Sequence, residues 1–421
     1  MKNFFLACLL SIFCLLSISP LNAQNSGQWK EDIAYLRTEL PKQHVDLFNQ
    51  LSEAEFNQAL DSLEHSLDDR EEWQIVYGIA EILKRIGDTH TQIIHNPTHG
   101  NPPCFPITFR YFSDGIYVTL GPIIENKSLV GSRLLSINGV DIPSIYKKAH
   151  RVVSVENDAM LKYHFMNILN RYYVLNYLGL VNQPEASFQL EDTSGQIHDI
   201  VLSTVPLKEV RNHTDCLAPE KVAFTDRNRK AFFWQEYLEE DSLLYIRYNL
   251  CASKEYYKRI KTSNSPTPDI PSFKKFEKQV LRTMKRKPVK KLVFDVSNNP
   301  GGSTRQGSRL IRNMYMQSYT GEAYLITGRR TYSSAIVNAI EFQKLLKATI
   351  IGEETSGKPN HFGEIRSFEL PNSKALILYS TKLFKRVEGE PSTIHPDIVI
   401  EQSFDEFMQG INPAWEYIKS L

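Results

Sequence analysis

From about residue 230 to the C-terminus, short apolar runs alternate with amphipathic stretches. That alternation narrows what the chain can fold into more than any other feature. Leu243–Tyr248, Leu292–Val296, Ala323–Thr327, Thr349–Gly352 and Ala375–Tyr379 read as strands. Between them, Ser272–Lys285, Arg305–Met316 and Ser334–Leu346 read as helices, the first clearly amphipathic. Strands alternating with helices specify an α/β domain, here spanning 230–421.

The chain before this domain has a different texture. Trp29, Ile33, Leu36 and Leu40 recur at helical spacing, and Ser52-Glu53-Ala54-Glu55 has the form of a capping box. A third helix is predicted from Glu71 to Ile86, closing at Gly87. Residues 24–100 therefore form an N-terminal helical region. From 101 to 208 strand patterns dominate: Ile107, Phe109 and Tyr111 alternate with polar neighbours, and Asn138-Gly139 marks a hairpin turn. One helical stretch, 158–178, interrupts this β-rich module. The polar segment 209–229 lacks a pattern and reads as a linker. Residues 254–271, rich in Ser, Pro and Thr towards their end, read as a surface loop.

The first 23 residues stand apart. Lys2 is their only charge, Phe4 to Ile18 is apolar, and Leu21-Asn22-Ala23 offers a small residue for cleavage. This is the pattern of a signal peptide. The expectation is an exported protein (periplasmic, cell-surface or extracellular) with a mature chain beginning near Gln24 and no further membrane segment. The full chain has 49 basic and 48 acidic side chains. Loss of Lys2 balances them, which points away from nucleic acid and anionic membranes as partners. Three cysteines remain: Cys104, Cys216 and Cys251. An odd number in an exported chain leaves at least one free thiol or an intermolecular bridge.

Three segments of the α/β domain carry chemistry. Ser333 lies between a strand and a helical run, where free N–H groups and the helix dipole favour negative charge. Serine is also a preferred helix cap, and Ser334 is an equal candidate for that role. Lys358 follows 25 residues later in a loop containing Gly352 and Gly357. A lysine there is either a solvated loop residue or, with its pKa lowered by burial or a neighbouring cation, a base. The turn Asn298-Asn299-Pro300-Gly301-Gly302 presents backbone N–H groups with little side-chain obstruction. A hydroxyl, a base and oxyanion donors are the inventory of acyl transfer.

Together these segments resemble the C-terminal processing (tail-specific) and tricorn-like serine peptidases. Asp295-Val296-Ser297-Asn298-Asn299-Pro300-Gly301-Gly302 is similar to that family's Asp-x-Arg-x-Asn-x-Gly-Gly, with Ser297 in place of the arginine. The step from Ser333 to Lys358 matches the serine–lysine dyad of the tail-specific branch. Ile394-His395-Pro396-Asp397-Ile398 resembles the closing Gly-Val-x-Pro-Asp strand, and Ile86-Gly87-Asp88-Thr89-His90-Thr91 resembles an Asp-Gly-His-Thr motif of tricorn-like members. The resemblance implies a crotonase/ClpP-like ββα catalytic domain, a PDZ-like module around Gly131–Val140, and a peptide or protein substrate. It implies Ser333 as nucleophile, Lys358 or His90 as base, and oxyanion donors among Gly301, Gly302 and Ser334. His361 is a further polar group of the Lys358 loop, and Glu390 corresponds to a carboxylate that orients the histidine. No cofactor or metal is implied. Ile336 and Phe362 stand where the family usually has glutamate and glutamine.

Two other readings remain open. The same fold can carry peptides or hydrophobic ligands without cutting, and the absent glutamate and glutamine favour that. His90, His95 and His99 invite a metal-hydrolase reading, but Pro97, Pro102 and Pro103 break any helix that would align them.

Overall fold

The computed structural model describes residues 26–95, 100–125, 127–212, 214–260 and 270–421. The signal-peptide reading and His99 lie outside the described residues. None of the described helices is long and apolar enough to cross a membrane. The chain divides into two compact units. One runs to Ala218 and includes Asn360–Lys385; the other comprises Pro219–Pro359 and Arg386–Leu421.

In the first unit, three helices (Ser26–Gln43, Glu53–Glu64 and Glu72–Lys84) bury one face each. Trp29, Ile33, Phe56, Leu60, Ile75 and Ile79 form their common core. The capping box is present: the Glu55 N–H donates to Ser52 Oγ at 3.3 Å and the Ser52 N–H to Glu55 Oε2 at 3.0 Å. The hairpin His361–Glu369/Leu376–Phe384 also belongs to this unit. Its second strand pairs antiparallel with Gln92–Ile94, and its Leu370, Ile377 and Tyr379 enter the helices' core. Asp32, fully buried, accepts the N–H groups of Asn372 and Ser373 at 2.7 and 2.8 Å and so holds the hairpin turn. The hairpin lies inside 230–421 in sequence yet folds with the N-terminal helices. His361 accordingly opens a strand rather than lying in the Lys358 loop.

The rest of this unit is built on an antiparallel sheet of Thr214–Cys216, Gly115–Ile124, Arg133–Ile137, Glu185–Glu191 and Ile197–Ser203. The Asn138-Gly139 turn forms, with both residues at positive φ (47° and 74°). Two expectations are corrected. The stretch 158–178 is two helices, Asp158–Ile168 and Tyr172–Tyr177. The break falls at Asn170, whose carbonyl accepts the Phe105 N–H at 2.9 Å instead of continuing the helix. The segment read as a linker contributes Thr214–Cys216, paired with Gly115–Ile124.

The second unit is built on a six-stranded sheet in the order Phe233–Leu238, Leu243–Tyr248, Lys291–Asp295, Glu322–Thr327, Thr349–Gly352, Ile398–Val399. The first pair is antiparallel and the rest are parallel. Every residue of Leu243–Tyr248 is buried, as a strand covered on both faces requires. Leu244, Ile246, Leu292 and Phe294 face helices Phe273–Arg286, Thr304–Tyr315 and Ser334–Leu346. Tyr245, Val293 and Ile326 face the helix Pro413–Ser420 through Trp415 and Ile418. Lys254–Ile260 is helical where a loop was expected. The three cysteines are free; Cys104 and Cys251 are buried and Cys216 is exposed.

Ser52→Ala removes one hydroxyl from an exposed cap and nothing from the core. It should destabilise the first unit by about 1 kcal/mol, read as a lower urea midpoint at unchanged slope.

Candidate active site

Parallel strands place the loops at their carboxyl ends along one edge of a sheet, where α/β folds form their binding crevices. Here the loops after Asp295, Thr327 and Gly352 leave that edge and carry the three singled-out segments. Hydrogen bonds join them. The Thr331 hydroxyl donates to the Val296 carbonyl at 2.9 Å, the Tyr332 N–H to the Asn299 carbonyl at 3.1 Å, and the Ser356 N–H to the Thr331 carbonyl at 3.1 Å.

Asn299, fully buried, fixes the glycine turn. Its Nδ2 donates to the Tyr248 carbonyl at 2.8 Å, and its Oδ1 accepts the Gly301 N–H at 2.9 Å. Gly301 and Gly302 have φ of 101° and 129°. A Cβ on Gly301 would lie 2.9 Å from Ser333 Cβ and 3.1 Å from the Ser334 nitrogen; one on Gly302 would lie 2.6 Å from the Cys251 carbonyl oxygen. Both glycines are demanded by backbone conformation and by close approach. Burial pushes the Cys251 thiol up to about 12, so it stays protonated under this turn.

Ser333 occupies the N-cap position of Ser334–Leu346 but makes no side-chain cap bond. Its φ of 53° and ψ of −122° are unusual for a residue with a side chain. The neighbouring Ser334 hydroxyl is committed instead, donating to the Gly302 carbonyl at 2.6 Å and accepting from Thr304 Oγ1 at 2.9 Å. No hydrogen bond joins the backbone N–H of Gly302 or of Ser334 to a described residue, whereas that of Gly301 is taken by Asn299.

Lys358 is half-buried in the loop after Gly352. That loop packs on the serine loop: a Cβ on Gly357 would sit 3.0 Å from the Tyr332 ring and 3.4 Å from Ile336 Cγ1. Ile336, at the position of the family's usual glutamate, is fully buried in the helix-side core. Glu390 is exposed and forms no hydrogen bond or ion pair with a described residue.

His90 and His361 belong to the first unit, which brings them together with ring centroids 6.4 Å apart. Asp88, fully buried, accepts the His90 N–H at 2.9 Å and lies 3.5 Å from His90 Nδ1. Burial alone would raise the Asp88 pKa. Hydrogen bonds from His44, His90 and Thr91 outweigh it and hold the carboxyl well below the ordinary range. Phe362, at the family's glutamine position, packs its ring 5.4 Å from His44. His95 is occupied by Glu72 at 2.8 Å. Among the described residues no group of three or more His, Cys, Asp or Glu is arranged to hold a metal ion.

Several contributing residues escaped the sequence reading. Arg247, on the strand beside Asp295, donates to the Asp295 carboxylate, and Tyr245 donates to it at 2.6 Å. Arg247 also reaches Ser297 Oγ at 3.2 Å, so a guanidinium from the neighbouring strand stands beside the residue that replaces the motif's arginine. Burial would lower the Arg247 pKa, but Asp295 and Tyr245 raise it overall. Nothing in local sequence links residues 48 positions apart.

Gly301→Ala should destabilise the second unit by about 2 kcal/mol or more, because both φ and space oppose a side chain. Gly139→Ala, with φ of 74° but nothing within 4 Å of the added Cβ, should cost the first unit less, about 1 kcal/mol. Urea denaturation of the two variants, followed by probes in each unit, checks the contrast.

No family profile matches the sequence, and no curated protein matches it. Solved structures do. Mature CPAF complexed with lactacystin gives a TM-score of 0.64 at 12% identity, covering 94% of this chain and 97% of that one. A second structure of mature CPAF gives 0.63 at 13%, covering 94% and 96%. The photosystem II D1 C-terminal processing protease overlaps more loosely, at 0.39 and 13%, covering 89% and 92%. The chain thus has the fold of CPAF over nearly its whole length.

Proposed function

We propose that this protein is a serine peptidase with Ser333 as nucleophile. The observation that carries the reading is the geometry at Ser333. A non-glycine residue is held at positive φ at a helix start, with its hydroxyl left out of capping and the Gly301 backbone packed against it. Backbone strain of this kind costs about 1–3 kcal/mol and persists where the surroundings enforce it, commonly at catalytic residues. Strained strand-to-helix turns expose the serine of other hydrolases in the same manner.

In this reading Ser333 Oγ attacks a peptide carbonyl. A base takes its proton and returns it to the leaving amine. The oxyanion is held by the N–H groups of Gly302 and Ser334; Gly301, whose N–H is engaged by Asn299, shapes the turn rather than donating. Lys358 and His90 are the two candidate bases. Lys358 is favoured by the contact between its loop and the serine loop, His90 by its buried carboxylate partner. The crotonase/ClpP-like description of the catalytic region, a PDZ-like role for the β-rich module in holding an extended peptide by strand addition, and export through the N-terminal segment belong to the same proposal.

The test is cleavage of a diverse peptide library by the mature chain, residues 24–421, beside Ser333→Ala, Lys358→Ala and His90→Ala, with folding checked by circular dichroism. Ser333→Ala should lower kcat by about 10³-fold or more, and one of the two base variants should match it. Full turnover by Ser333→Ala would refute the assignment. No cleavage by the folded wild type would favour a ligand carrier on this fold, a reading that the apolar Ile336 and Phe362 support.

A further inference from the structure

Beside His90 lies a built hydrogen-bond relay, Asp88 with His44 and Thr91, that the motif resemblance does not assign and of which the base assignment uses only the presence of the carboxylate. Asp88 is fully buried and uses both carboxylate oxygens. Oδ2 accepts from Thr91 Oγ1 at 2.6 Å and faces His44 Nε2 at 3.1 Å. Oδ1 accepts the His90 backbone N–H at 2.9 Å and faces His90 Nδ1 at 3.5 Å. His44, also buried, has its tautomer fixed from behind. Its Nδ1 accepts the Asp46 N–H at 3.0 Å, so the proton of the neutral ring must sit on Nε2, pointing at Asp88. Protonating Nδ1 would forfeit that bond. His44 therefore serves Asp88 as a neutral donor and leaves the carboxylate's charge uncompensated on that side.

We propose that Asp88 is the positioning acid of His90, held ionised and oriented by a neutral His44, and that it fixes the proton of His90 on Nδ1 so that Nε2 is left as the proton acceptor. Glu390, the sequence's candidate for that role, is exposed, whereas Asp88 is buried beside the His90 ring. Other titratable groups face the same place. His361 lies 6.4 Å from His90 ring to ring, and Glu156 accepts from Thr89 Oγ1 at 2.6 Å. A second imidazole at that distance disfavours a double positive charge, so Asp88 is the group that makes protonation of His90 tolerable during turnover. The catalytic consequence rests on the reading of this chain as a peptidase with His90 as base; the tautomer does not.

The experiment is long-range ¹H–¹⁵N NMR of the histidine rings in the mature chain, residues 24–421. Wild type, Asp88→Asn and His44→Gln are each titrated from pH 5 to 9, with peptide cleavage measured in parallel. Wild-type His90 should show the Nδ1–H tautomer. Asp88→Asn should shift it towards Nε2–H, while His44→Gln, which keeps a donor, should move it less. A wild-type His90 in the Nε2–H tautomer overturns the proposal even if Asp88→Asn fails to fold. So does a tautomer balance unchanged in a folded Asp88→Asn. In cleavage, Asp88→Asn should lose about 10²-fold or more in kcat with KM little changed. If the NMR shifts appear while His90→Ala and Asp88→Asn both cleave normally, the positioning stands and His90 is not the base.

Discussion

The candidate site hangs from one buried ion pair at the carboxyl edge of the parallel sheet. Arg247 and Asp295 occupy paired positions on adjacent strands, with side-chain exposures of 4% and 0%. Such a pair adds little net stability over an apolar replacement, yet leaving one member without the other costs about 3–5 kcal/mol. Its effect is therefore on position. Asp295 also accepts the N–H and hydroxyl of Ser297 at 2.9 and 2.7 Å, so the pair fixes where the strand stops and the turn begins. Two residues on, Asn299 passes that placement to Gly301 and, through the Tyr332 N–H, to the serine loop. The electrostatics of two strand ends thus reach Ser333 through a short series of hydrogen bonds.

The parts of this arrangement that are local in sequence could be read from it. Gly301 and Gly302 announce a turn, Ser333 precedes a strong helical pattern, and the helix begins at Ser334 as its periodicity implies. What depends on contacts distant in sequence was not legible. Arg247 carries no motif of its own, and neither does His44, which reaches Asp88 across 44 residues. The break at Asn170 was hidden for the same reason, since its cause is the N–H of Phe105. The His361–Phe384 hairpin follows the α/β pattern in sequence but obeys a partner far upstream, Gln92–Ile94.

The two departures from the family pattern share a physical character. Ile336 is fully buried in the helix-side core, where an unpaired carboxylate would be strongly disfavoured. Phe362 lies against His44, where a ring adds apolar contact beside a buried donor. Both substitutions exchange a polar group for packing. In the proposed peptidase reading, the groups left for proton transfer are Lys358 and His90 with its neighbour Asp88.

The path of the chain has a consequence for how this protein can be divided. The backbone passes between the two units after Ala218, after Pro359 and again after Lys385. Neither unit is therefore a contiguous stretch. A fragment starting at Pro219 would keep the whole six-stranded sheet yet carry the 360–385 hairpin without the helices that cover Leu370, Ile377 and Tyr379. One ending at Ala218 would keep those helices and leave Asp32 buried without the two N–H groups it binds. Synthesis from the N-terminus leaves the first unit's core incomplete until the last strands of the hairpin emerge, by which time most of the sheet bearing Ser333 has been made. Domain shuffling by a single crossover would sever this weave, so the two units are tied to a common evolutionary fate.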